Sequence, residues 1–150
     1  MLRRRLLPLA LSLLLAGGAH AQQAESSIPP PRDVPYAGTM RLEIDATNLS
    51  QRIFRVKQTI PAQPGALTLL YPMWIPGGHT PRGAIAKVAG IEFWANGKRL
   101  DWKRDPLDVA AFHLTVPEGA SEVVAKFDFL TPTAGNQGRI VMTPSMLNLQ

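Results

Sequence analysis

Between Met40 and Phe129 the chain repeats one pattern: short runs of alternating apolar and polar residues separated by turn formers. Successive side chains of an extended strand point to opposite faces, so the pattern demands sheets with one face on a core. Met40, Leu42, Ile44 and Ala46 fall on one face, and Arg41, Glu43 and Asp45 on the other. After a turn at Asn48-Leu49-Ser50, Phe54, Val56 and Ile60 alternate with Arg55, Lys57 and Thr59, which predicts an antiparallel partner strand. A third strand is predicted over 67–73. Asn96-Gly97 sits between two apolar-patterned runs and suits the positive φ angles of a tight hairpin turn, predicting strands near 88–95 and 98–104. Ala110, Phe112, Leu114 and Val116 make another inward face, ended by Pro117-Glu118-Gly119, and Val123, Ala125, Phe127 and Phe129 make one more. No segment after residue 21 sustains a helical period over three turns. The predicted class is therefore all-β, an antiparallel β-sandwich or saddle-like pair of sheets over residues 36–150, without internal repeats.

The N-terminal end obeys a different logic. Arg3, Arg4 and Arg5 precede the apolar stretch "LLPLALSLLLAGG", and Ala19-His20-Ala21 has the small residues of a cleavage site, so residues 1–21 read as a secretory signal peptide. The run from Leu6 to Leu15 falls short of the roughly 20 apolar residues of a membrane span, and no cysteine follows it to carry a lipid. The mature chain is expected to be secreted or periplasmic, with no stable membrane anchor. Residues 22–35, "QQAESSIPPPRDVP", read as a proline-rich, disordered linker.

Removing the signal also changes the charge. The formal net charge of +5 loses three arginines, leaving 13 basic against 11 acidic residues. The remaining cations are scattered among acids and form no nucleic-acid footprint. With no cysteine in the chain there is no disulfide framework, so the fold must rest on its own core or on neighbouring domains.

Catalytic patterns are missing. A zinc peptidase of the common plan needs H-E-x-x-H, and neither His79-Thr80-Pro81 nor His113-Leu114-Thr115 supplies it. There is no G-x-S-x-G elbow, and Ser145 lies in an ordinary "TPSM". Asp101, Asp105 and Asp108 have the spacing of a solvated loop between strands, a structural or surface feature. Gly77-Gly78 lacks the lysine and helix of a phosphate cradle. His113, between Phe112 and Leu114, is expected on the face opposite the core.

The densest stretch is "YPMWIPGGHTPRG", residues 71–83, with Tyr71, Trp74 and His79 among three prolines and three glycines. Pro76-Gly77-Gly78 suits a tight turn, proline fixing φ and glycine supplying a positive value. Trp74 ends an apolar strand and reads as a core anchor, its ring removing about 200 Å² from water if buried. His79 and Arg82 lie on a stiff loop, a good recognition surface. Trp74, Pro76, Gly77, Gly78, His79 and Arg82 are therefore the candidate interface or ligand loop.

The run from Leu69 to Leu130 resembles the N-terminal domain of the glycyl aminopeptidase family of zinc metallopeptidases, in which a strand enters a Pro-x-Trp-x-Pro-Gly turn. Here that turn is Pro72, Trp74, Pro76 and Gly77, followed by His79, the Asn96-Gly97 hairpin, the Trp102–Asp105 run and the Ala111–His113 strand. Gly78 stands where the family's branch with a histidine after the turn is expected to carry an acidic residue, and Arg82 where a small polar one is usual. The resemblance covers residues 36–150. It implies a β-rich domain placed before a thermolysin-like domain that carries H-E-x-x-H and a downstream glutamate, often followed by a PDZ domain, in enzymes that remove N-terminal glycine or alanine. No catalytic or zinc-binding position of the family falls within this chain, so the chain itself is expected to be no enzyme and to hold no cofactor, zinc belonging to the catalytic domain. The implied partner is that domain in cis, and peptide substrate beyond it. The apolar ending "MLNLQ" suggests the front piece of a longer protein. The function expected is a non-catalytic domain that packs against the catalytic domain and helps shape its substrate cleft. The alternative is a stand-alone exported module that holds a peptide or carbohydrate through Trp74, His79, Trp94 or Trp102.

Overall fold

The structure, a computed structural model, describes residues 28–30, 32–133 and 140–148. The signal peptide and much of the linker read from the sequence lie outside the described residues. Among these described residues ten short strands follow one another: β1 Arg41–Asp45, β2 Ile53–Pro61, β3 Gly65–Leu70, β4 Val88–Ala95, β5 Lys98–Leu100, β6 Trp102–Arg104, β7 Ala111–Val116, β8 Glu122–Leu130, β9 Val141–Thr143 and β10 Met146–Asn148. Their arrangement is antiparallel throughout, as the alternation predicts. One sheet has the order β1-β2-β8-β4-β5, a second β3-β7-β6, and β9 with β10 forms a hairpin.

Turn chemistry sets the connections. Asn96 and Gly97 both take positive φ, 49° and 73°, which gives the two-residue hairpin between β4 and β5 the twist that flanking strands require. The single strand expected over 98–104 is two: the chain leaves the five-stranded sheet at Leu100, turns at Asp101 and enters the three-stranded sheet at Trp102. The alternation runs unbroken through this corner, so the pattern alone hides the change of sheet.

The two sheets share a core. Ile60, Phe93, Val123 and Ala125 from the first meet Phe112, Leu114 and Val116 from the second. Phe93, Trp102 and Phe112 form a mutually contacting aromatic trio with centroids 5.4–6.0 Å apart, a spacing that favours edge-on contact. A smaller cluster forms where Met142 of β9 covers Phe54 and Val56 of β2. The outer face of the five-stranded sheet is polar. Lys57 pairs with Glu43 at 3.1 Å, Arg99 with Glu92 at 3.3 Å, and Lys126 sits over the Trp94 ring at 5.0 Å.

One expectation about burial fails. β1 has the predicted period, yet all five of its residues are exposed, Leu42 by 57% and Ile44 by 41%. Alternation places both on the inner face of the sheet, but the three-stranded sheet does not reach over them.

Candidate functional site

The loop after β3 is closed by its own backbone. Gly78 N donates to Ile75 O at 2.8 Å, and Gly77 takes φ 79°, so Ile75-Pro76-Gly77-Gly78 is a turn with proline second and a left-handed glycine third, as its composition predicts. The amides of Arg82 and Gly83 both reach Met73 O, at 2.8 and 2.9 Å. This clasp requires glycine at position 83, where a Cβ would fall 2.6 Å from the Met73 Cα and closer still to the Pro72 carbonyl. Thr80 Oγ1 accepts a hydrogen bond from Arg82 Nε at 3.1 Å.

Trp74 is not the anchor its position suggests. It is 66% exposed at the loop tip, between the clasp at Met73 and the turn at Pro76-Gly77. The buried aromatic role falls instead to Phe93 and Phe112, with Trp102 half-buried beside them. His79, Pro76 and Gly77 are exposed beside Trp74, and Gly78 is partly buried.

Beneath this loop lies a cleft of about 850 Å³. Its floor is the uncovered inner face of the five-stranded sheet, with Leu42, Ile91, Phe127 and Phe129, and its wall is β3 and the loop, with Leu69, Leu70, Tyr71 and Ile75. Ile140 closes one end, and among the described residues Arg82 and Lys87 are the charged ones that line it. Burial raises the Tyr71 phenol above its ordinary value, keeping it neutral in this apolar wall. Of the six candidate residues, only Arg82 lines the cleft; Trp74, Pro76, Gly77, Gly78 and His79 stand outside it. Sequence reasoning missed the cleft because its floor residues have the same alternation as buried ones. The available signal was the length of apolar strand on one sheet against the short strands of the other.

A second polar constellation was also missed. Asp105 is 3% exposed, against the solvated position its spacing suggests. Its Oδ1 accepts from the backbone amides of Leu107 and Asp108 at 2.8 and 2.9 Å, and its Oδ2 lies 2.9 Å from His113 Nε2. His113 Nδ1 is 3.0 Å from Thr68 Oγ1. With the imidazole proton on Nε2, His113 donates to Asp105 and accepts from the Thr68 hydroxyl. The order acid, imidazole, hydroxyl has the form of a nucleophile relay. None of the three lines the cleft, however, and the carboxylate is committed to its turn. The constellation fastens β3 and β7 to the 105–108 turn, on the face opposite the core where His113 was expected. Among the described residues no group of three or more histidines, cysteines or acids could hold a metal ion, and no helix is long and apolar enough to cross a membrane.

Fold and cleft together define a two-sheet antiparallel β-domain with one apolar flank open. The chain belongs to the Peptidase M61 N-terminal domain family, whose model matches residues 41–150, in agreement with the resemblance carried by Pro72, Trp74, Pro76 and Gly77. A solved structure with a similar fold is the crystal structure of an aminopeptidase N family protein from Idiomarina loihiensis, at a TM-score of 0.53 and 22% identity. The similarity covers 62% of this chain and 15% of that one. No curated protein sequence matches the chain.

Proposed function

We propose that the chain acts as a non-catalytic N-terminal domain of an exported zinc aminopeptidase, and that its open flank packs against the catalytic domain and helps wall the substrate cleft. The observation that carries this reading is the cleft beneath residues 71–84. Leu42, Leu70 and Ile75, which line it, are more than half exposed, and an exposed apolar surface of this kind marks a partner's footprint. The family assignment supports a peptidase catalytic domain as that partner, and on this reading the chemistry and its zinc belong to that domain, where an H-E-x-x-H helix would hold the metal.

The alternative of a stand-alone module with an aromatic binding platform finds less support. Trp74 stands at the loop tip, Trp94 lies on the outer face beneath Lys126 with its Nε1 donating to Glu92, and Trp102 belongs to the shared core. They do not converge on one surface.

Purified residues 22–150 test the proposal. They should self-associate through the open flank, seen as concentration-dependent mass by light scattering, and release no glycine from a glycyl peptide with zinc added. Zinc-dependent glycine release would sink the non-catalytic assignment, and a strictly monomeric chain would sink the partner surface.

A further inference from the structure

We infer that the cleft is a strand-receiving site, in which an extended, apolar-alternating segment carrying a carboxylate, supplied by the peptidase polypeptide, pairs with the free edge of β3. This deepens the reading above and rests on it for the source of the segment. The first ground is the backbone of β3. It pairs with β7 on one side, and among the described residues no strand lies on the other. Tyr71 N donates to Ala110 O at 2.8 Å, one residue beyond the register pair Leu70↔Ala111. In an antiparallel ladder, directly bonded pairs alternate with non-bonded ones, so Leu69 and Leu67 also bond to β7. The amides and carbonyls of Ala66, Thr68 and Leu70 therefore point to the open edge. They are spaced to receive one strand of about six residues.

The second ground is the sequence of that edge. Exposed edge strands are ordinarily protected by charges, proline or bulges. β1, the other edge beside the cleft, carries Arg41, Glu43 and Asp45, whereas β3 reads Gly-Ala-Leu-Thr-Leu-Leu, with no charge and no proline. An edge left in this state suits pairing. An added strand would extend the three-stranded sheet over Leu42 and Phe127, and its alternate apolar side chains would fill the cleft. The third ground is charge: among the described residues the charged groups that line the cleft are Arg82 and Lys87, both cationic. Lipid would satisfy the apolar floor and the cations but would leave the β3 edge unpaired, so the edge decides for a polypeptide.

The test uses fluorescein-labelled, C-terminally amidated peptides of about eight residues, alternating valine and threonine, with a single glutamate moved through each position and a glutamine twin for each. Fluorescence anisotropy with the chain should find at least one glutamate peptide that binds about tenfold more tightly than its glutamine twin, a preference that Arg82→Gln removes. Leu70→Pro removes an edge-facing amide and no bond to β7, and proline is tolerated at an edge facing solvent. It should weaken every peptide about tenfold or more, with circular dichroism checking the fold. N-methylation of alternate peptide residues should do the same from the ligand side, whatever becomes of the variant. Failure of all peptides to bind, or equal binding of the N-methylated form, would overturn the proposal. So would dodecanoate binding that displaces the peptides and survives Leu70→Pro, which would make the cleft a lipid site. These outcomes are separate from the domain assignment: loss of peptide binding leaves glycine release and self-association to judge that reading, and glycine release would sink that reading without touching the strand site.

Discussion

The two flanks of the sandwich carry the same kind of sequence and have opposite fates. At the closed flank β5 runs through Asp101 into β6, and the aromatic trio Phe93, Trp102 and Phe112 seals the gap between the sheets. At the open flank β1 and β3 are both edges among the described residues, and the sheets part around the cleft. Leu114, on β7, is 5% exposed; Leu42, on β1, is 57% exposed. Each is a leucine on the apolar face of an alternating strand. The difference lies in what covers the strand, so alternation specifies which face seeks a core and leaves open whether this chain supplies one.

The comparison breaks most directly at Phe93, which is 1% exposed and touches both other rings. Phe93→Ala should cost about 3–5 kcal/mol, read from urea denaturation. A loss below about 1 kcal/mol would show the closed flank to be as loosely held as the open one. Next in size is Asp105→Ala, which strips the acceptor from the Leu107 and Asp108 amides and from His113. Leaving these partly buried donors without their acceptor costs about 1 kcal/mol or more. Hydrogen exchange should then quicken in β7 and the 105–108 turn while β1 and β2 keep their rates; uniform quickening would mean that the constellation does not act locally.

These sites also mark where the sequence was legible. Strand positions and the Asn96-Gly97 turn follow from periods and local φ preferences, which belong to a few neighbouring residues. The inward aspect of Leu42 was equally readable, but its exposure depends on the width of a different sheet. Trp74 misled for a related reason: a large ring after an apolar strand seeks burial, yet it stands exposed beside the long-range clasp of Met73 O by Arg82 and Gly83. Asp105 and His113 lie eight residues apart, and nothing in that interval announces a bond that needs the turn at 105–108 to form first.

Two further effects sharpen the contrast on the open side. Gly83→Ala should cost about 1–3 kcal/mol, because the added methyl meets backbone at Pro72 and Met73 rather than a flexible side chain. It should also loosen the wall of the cleft, seen as faster proteolysis within 72–83. Leu42→Thr should leave unfolding within about 0.5 kcal/mol and yet reduce self-association, since its face is uncovered in the single chain. A stability loss equal to that of a buried leucine would mean the flank is closed in solution.

The smallest effect is alkaline and belongs to Tyr71. Burial raises its folded pKa above the ordinary value of 10.0, so the folded state binds the phenolic proton more tightly than the unfolded state does. Its contribution is fully present below pH 10.0 and is lost as pH rises through the higher folded value. Tyr71 is only partly buried in the wall of an open cleft, so solvent screens the difference and keeps it small. Tyr71→Phe has no proton to lose and should retain more of its neutral-pH stability than the natural chain when both are denatured in urea above pH 10.0. Identical alkaline losses in the two would mean that water reaches the ring freely. A strand seated beside Tyr71 would bury the ring further and push its absorbance titration to still higher pH. The shift on adding the glutamate peptide would then report closure of the open flank from inside the cleft.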